Sequence, residues 1–194
     1  MFDLACARTE TYPAFGENPL VVAGCLEQDL ARRDFTVNAM ALVLRADGSH
    51  QLCDPLGGRE HLVKRQLAFL HPNSVADDPT RILRGARYGA RLGFDLTPEA
   101  LAQIQSTLAL WPWAWSPGDP VDAVPPALGT RLRMELELLL DREPWKDALK
   151  LLQRWTALSL LDGGLQNDPR LARRLVQGLR LGLPALVVLA ASAS

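Results

Sequence analysis

The sequence predicts an α+β chain in which a small α/β part is followed by an all-α region. Short runs bounded by turn residues are confined to the stretch before Pro72. Capped helical patterning takes over from Ser74, and a Trp- and Pro-rich stretch interrupts it once.

In order along the chain, Phe2 to Ala5 and Leu20 to Ala23 read as strands, separated by Pro13, Gly16 and Pro19. Asp29 is expected to cap a helix on which Phe35, Ala39 and Leu42 recur at helical spacing. Ala41 to Leu44 and Ser49 to Leu52 flank Asp47-Gly48, a hairpin signal, and Asp54-Pro55-Leu56-Gly57-Gly58 is a turn. Ser74 through Gly93 predicts one helix, with Pro79 near its first turn, Asp77 and Asp78 at its positive end and Gly93 closing it. Thr97 caps the next helix with Pro98 in its first position. Helical patterns follow at 131–141, 144–158 and 168–181, and the apolar run from Leu181 is expected to pack as a terminal helix. That run is shorter than the roughly 20 residues needed to span a bilayer. The expected divisions are 1–72, 73–110, 111–130 and 131–194.

A net charge of −1 over 194 residues excludes a protein that coats nucleic acid, so any anion must be met by local clusters of arginine. Cys6, Cys25 and Cys53 include no CxxC pair, which implies neither a disulfide framework nor a zinc site and fits a reducing, cytoplasmic setting. His50, His61 and His71 show no ligand spacing, and the N-terminus has no signal-peptide pattern. No membrane association is expected.

Two blocks concentrate chemistry. In Asp77-Asp78-Pro79-Thr80-Arg81-Ile82-Leu83-Arg84-Gly85-Ala86-Arg87, helical geometry places Arg81, Arg84, Arg87 and Arg91 on about a third of the circumference. One reading is a solvated basic stripe with acids at the helix start. The other is a carboxylate and a guanidinium, one turn apart, presenting an acceptor and a fork of donors to the edge of a base, with the later arginines on phosphates. In Arg32-Arg33-Asp34-Phe35-Thr36-Val37-Asn38-Ala39-Met40-Ala41, Asp34 and Asn38 lie four apart. Next to an arginine they can hold a ribose hydroxyl and a phosphate; a capped amphipathic helix with an internal ion pair fits equally. Gly85 and Gly89 inside the first helix indicate either close backbone packing or relaxed constraint.

Taken in this order, with Phe2-Asp3-Leu4-Ala5, Arg8-Thr9-Glu10, Asp54-Pro55-Leu56-Gly57-Gly58 and Ala90-Arg91-Leu92-Gly93-Phe94, the blocks resemble the class II tRNA nucleotidyltransferase and bacterial poly(A) polymerase family. The resemblance covers residues 2 to about 105, and Arg131-Leu132-Arg133-Met134-Glu135-Leu136 looks like that family's later R-x-x-x-E-L helix. It implies a partial nucleotidyltransferase head over 1–72, nucleotide-template neck helices over 73–110 and a body-like helical region over 131–194. By match to the family's E-D-x-x-R motif, Asp78 and Arg81 read the Watson–Crick edge of incoming CTP or ATP. Arg84 and Arg87 lie on the nucleotide, Arg33 is a further contact, and Asp34 and Asn38 place the ribose. Asp77 stands where the family has glutamate. The implied partners are ATP, CTP and an RNA 3′ end such as that of tRNA.

The family's G-G-x-V-R-D and D-x-D segments, which bind triphosphate and Mg2+, occur nowhere in the 194 residues. Asp3 is an accessory carboxylate candidate but cannot make a two-metal site alone. The expectation is therefore no catalytic or metal-binding set here, and negligible activity for the polypeptide by itself. Three readings follow: the C-terminal part of a nucleotidyltransferase whose front half was lost, mis-started or encoded separately (as on a partner chain), a non-catalytic nucleotide- or RNA-binding module, or a decayed, packed remnant with an exposed sheet edge.

Overall fold

Two short antiparallel hairpins precede the long helices in the computed structural model, which describes residues 4–110 and 126–193. The expected contributions of Phe2 and Asp3, and the Trp- and Pro-rich stretch that holds Trp111, Trp113 and Trp115, lie outside the described residues. Strands β1 (Arg8–Thr11) and β2 (Leu20–Ala23) pair with Arg8 opposite Ala23, and β3 (Ala41–Leu44) and β4 (His50–Cys53) pair with Leu42 opposite Leu52. Leu4 and Ala5 are not in a strand; the pairing starts at Arg8. The Asp47-Gly48 hairpin forms with Gly48 at φ 82°, a conformation that favours glycine. Leu20, Val21 and Val22 on β2, and Leu42, Leu44 and Leu52 on the second hairpin, are all exposed.

Helix α1 (Leu26–Ala31) begins at Cys25, so Asp29 is inside it rather than capping it. The expected continuation through Phe35, Ala39 and Leu42 fails for a local reason. Asp34 accepts the backbone N–H of Phe35 and the side-chain amide of Asn38, a turn that competes with the helix. A single 3-10 turn, Thr36–Asn38, follows, and Leu42 lies on an exposed strand face. The turn at Asp54 leads into a helix not foreseen, α2 (Gly58–Lys64), whose first amides, Gly58 and Arg59, donate to the Asp54 carboxylate. A Cβ on Gly58 would collide with the carbonyl of Thr36. Gly58→Ala is therefore expected to destabilise the chain by about 1–3 kcal/mol, read as a lower urea midpoint with unchanged slope.

The helix expected from Ser74 to Gly93 is broken into α3 (Ser74–Asp77) and α4 (Thr80–Leu92). Asp78 precedes a proline and is driven out of the helical region, to φ −143°, ψ 92°. Its Oδ1 then caps α4 by accepting from the N–H (3.1 Å) and hydroxyl (2.6 Å) of Thr80. Short strands β5 (Gln66–Leu67) and β6 (Asp95–Leu96) pair in parallel beneath α4, and α5 (Pro98–Leu110) is capped by the hydroxyl of Thr97 as expected.

The remaining helices are α6 (Thr130–Arg142), α7 (Trp145–Arg154), α8 (Gly163–Gln166), α9 (Leu171–Arg180) and α10 (Ala185–Ala190). Ala185, Val188 and Leu189 of α10 are buried, so the terminal apolar run packs on the domain. No helix among the described residues is long and apolar enough to cross a membrane.

Helix α4 lies at the centre, against α6 and α7. Gly85 and Gly89 resolve to close packing: a Cβ at Gly85 would lie 3.2 Å from the Phe35 ring, and one at Gly89 2.7 Å from Leu151 and 2.9 Å from the Phe94 carbonyl. Phe35, fully buried, stacks on Phe69 with centroids 5.0 Å apart and meets Tyr88 of α4 edge-on at 5.9 Å. That ring is the bolt between the two motif blocks, holding Arg32–Asn38 against the middle of α4.

Candidate functional site

Between β1, the turn after α1, the start of α4 and the start of α6 lies a cleft of about 540 Å³. Six arginines (Arg8, Arg32, Arg33, Arg81, Arg84 and Arg131) line it against three carboxylates (Glu10, Asp34 and Asp78). In a chain of net charge −1 this local excess makes an anion the natural occupant. Tyr12 and Tyr88, both tyrosines of the chain, complete the wall with Pro19 and Asn38.

The extended backbone at Asp78 and the first turn of α4 bring Asp78 and Arg81 together at the cleft. The two sites on Asp78 Oδ1 are taken by Thr80, and Oδ2 faces Arg131 Nη1 at 3.2 Å. A carboxylate offers about four acceptor positions, so Oδ2 retains room for one more donor. Arg81 is 3 % exposed; its Nη2 donates to the carbonyl of Arg32 at 3.2 Å. Its Nη1 is buried with no hydrogen-bond partner among the described residues. An unsatisfied buried guanidinium nitrogen is costly, and a ligand acceptor in the cleft would relieve that cost. Neither residue points into bulk solvent, so the solvated-stripe reading does not hold for Arg81.

Asp34 and Asn38 also line the cleft, joined by a 2.7 Å hydrogen bond although no continuous helix connects them. Asp34 Oδ2 approaches Arg84 Nη1 at 3.5 Å. Arg33 lines the cleft with its side chain almost half exposed.

Arg87 is the exception among the residues singled out in the sequence. It does not line the cleft, because Glu135 of α6 and Glu143 take its guanidinium from behind. Glu143 also holds Arg91, so the outer arginines of α4 serve packing. Glu135 binds Arg84 as well, at 2.8 Å. Burial works against the Arg84 charge, but Glu135, with Asp34 and Asp78 behind it, keeps that guanidinium protonated more firmly than usual. Asp77 faces away from the cleft, into a second cavity of about 460 Å³ shared with His71, and burial pushes its carboxyl above the ordinary value.

Arg131, which opens the R-x-x-x-E-L match, was given no place at the site by the sequence, yet it lines the cleft. Besides Asp78, it donates from Nη2 to the carbonyls of Gly16 and Glu17, both at 3.0 Å, and so clamps the β1–β2 loop against the Asp78 turn. The available signal was Arg131 four residues before Glu135, which puts both on the face of α6 turned towards α4. Tyr12 carried no sequence signal; burial raises its hydroxyl above the usual tyrosine value, so it stays a neutral donor.

A model of the poly(A) polymerase head domain matches residues 1–68. The chain is 42% identical over 161 residues to the CC-adding tRNA nucleotidyltransferase of Deinococcus radiodurans, covering 83% of this chain and 39% of that protein. The chain belongs to the class II tRNA nucleotidyltransferase family. A CCA-adding enzyme in an apo form superposes with a TM-score of 0.75 at 26% identity, over 91% of this chain and 40% of that one. A tRNA nucleotidyltransferase complexed with a primer tRNA and an incoming ATP analog superposes with a TM-score of 0.66 at 27% identity, over 87% of this chain and 50% of that one. The chain thus spans about two fifths of the curated relative and half or less of these solved structures.

Magnesium is the metal this family implies. Among the described residues no group of three or more His, Cys, Asp or Glu side chains is placed to hold a metal. Thr80, Arg131 and Asn38 already occupy the cleft carboxylates. The described residues do not fit the ion, and Asp3 lies outside them.

Proposed function

We propose that this chain supplies the nucleotide-selecting half of an RNA 3′-end nucleotidyltransferase, holding CTP or ATP in the arginine-lined cleft. The base edge lies against Asp78 and Arg81, the ribose against Asp34 and Asn38, and the phosphates against Arg33 and Arg84. The RNA is a tRNA 3′ end in this reading. The observation that carries it is the unpartnered, buried Nη1 of Arg81 beside a carboxylate with one acceptor position left, both at the wall of a polar cleft. A 540 Å³ cleft is within the usual range for a small-molecule site, about 300–1,000 Å³.

A second reading is favoured by one observation. The 194 residues contain no D-x-D pair and no G-G-x-V-R-D segment. The polypeptide then binds nucleotide without turning it over, and the Mg2+-binding carboxylates act from a contiguous or separate segment. Calorimetric titration with CTP and ATP, with and without Arg81→Ala, addresses both. The expected result is saturable binding that Arg81→Ala weakens at least about tenfold, as for loss of a charge-assisted contact. No incorporation of labelled nucleotide into tRNA lacking its 3′ end should accompany it. Absence of binding to either nucleotide overturns the first reading, and incorporation by the polypeptide alone overturns the second.

A further inference from the structure

We propose that Asp29 is a positioning residue for the polyphosphate side of the cleft: a buried carboxylate behind the wall that fixes the guanidiniums of Arg32 and Arg33 in front of it. The inference rests on the nucleotide reading above and goes beyond it, because Asp29 does not line the cleft.

Asp29 lies near the end of α1, 6 % exposed. Its Oδ1 accepts from Arg33 Nε (3.3 Å) and Nη2 (2.8 Å). Its Oδ2 accepts from Arg32 Nε (3.3 Å) and Nη2 (2.9 Å), and from the backbone N–H of Arg8 on β1 (3.1 Å). Glu10 takes Arg32 Nη1 at 2.8 Å. One side chain therefore ties α1, the turn after it and the first strand together. Burial opposes its charge, but the hydrogen bonds from Arg32 and Arg33 outweigh that and bring its carboxyl down to about 2.

The donor count favours positioning over simple neutralisation. A guanidinium carries five N–H donors. Arg33 spends two on Asp29 and keeps three, and both Arg32 and Arg33 line the cleft. A free arginine loses rotamer freedom each time it grips a phosphate, whereas one already held loses less. An exposed i,i+4 pair of this type would contribute little, so burial of the carboxylate is what makes the restraint effective.

The two roles predict opposite signs. By Coulomb attraction alone, Asp29→Asn removes a negative charge beside the cleft and should tighten a polyphosphate. If Asp29 positions the arginines, the same change weakens it. The experiment is titration of the full 194-residue chain with CTP and CMP, on the native sequence, Asp29→Asn, Asp29→Glu, Arg32→Ala/Arg33→Ala and the triple variant. Asp29→Asn should lower CTP affinity about tenfold, the loss of a charge-assisted hydrogen bond, and leave CMP affinity unchanged. Asp29→Glu should recover part of the loss, and Asp29→Asn should add nothing in the Arg32→Ala/Arg33→Ala background. If Asp29→Asn does not fold, Asp29→Glu carries the test with a smaller, CTP-specific loss. Unchanged or tighter CTP binding in whichever variant folds, or equal losses for CTP and CMP, overturns the proposal. A native chain that binds neither nucleotide, or binds both independently of Arg81, instead overturns the nucleotide reading beneath it.

Discussion

Replacing Glu135 with alanine is expected to cost the fold about 3 kcal/mol, at the lower end of what removing one partner of a buried ion pair costs. Glu135 is 8 % exposed and holds Arg84 at 2.8 Å and Arg87 at 2.5 Å. It is the electrostatic join between α4 and α6, the helices that present Arg81, Arg84 and Arg131 to the cleft. Its loss leaves Arg87 with Glu143 alone, at 3.4 Å, and with an Nε that already lacks a partner among the described residues. Arg84 is about a third exposed, so water softens its share of the penalty and pulls the value down from the upper end. Urea denaturation should show a lower midpoint with an unchanged slope. A loss below about 1 kcal/mol, the scale of a surface pair, would show that the helices hold together by apolar packing alone.

Asp78→Asn is expected to erase the preference for bases that carry an amino group, rather than a keto oxygen, at pyrimidine C4 or purine C6. An ionised carboxylate only accepts hydrogen bonds, so the remaining position on Oδ2 suits the amino group of cytosine or adenine and repels the keto oxygen of uracil or guanine. The amide of asparagine can donate as well and accommodates either. The ratio of CTP to UTP affinity should fall by the worth of one base contact, about 1–3 kcal/mol. Part of any general weakening comes from Arg131, which loses its charged partner at 3.2 Å, and that part affects both nucleotides equally. The ratio therefore isolates base reading, and an unchanged ratio would remove Asp78 from it.

How much of this was legible in the sequence differs by element. The Asp47-Gly48 hairpin, the cap at Thr97 and the helices around Arg131 and Leu171 follow from local patterns, and they form where those patterns place them. The two blocks were visible as clusters, but what joins them was not: Phe35 reads as an ordinary apolar residue until Gly85 gives its ring a seat. The missed features are those in which a side chain overrides the backbone pattern. Asp34 ends the helix that the spacing of Phe35, Ala39 and Leu42 predicts, Pro79 forces Asp78 out of α4, and Asp54 starts α2 where the local pattern predicts only a turn. Arg87 shows the other limit. Helical spacing put it on the same face as Arg84, yet only the arrival of α6 and Glu143 decides that it faces acids rather than the cleft.

In the proposed function the Asp78–Arg81 couple meets a nucleobase. A crystal structure of the chain soaked with CTP tests it directly. The cytosine amino group should lie about 2.7–3.2 Å from Asp78 Oδ2, with an acceptor of the ring at similar distance from Arg81 Nη1. Ordered CTP with its base elsewhere, and Arg81 Nη1 still unpartnered, would contradict it.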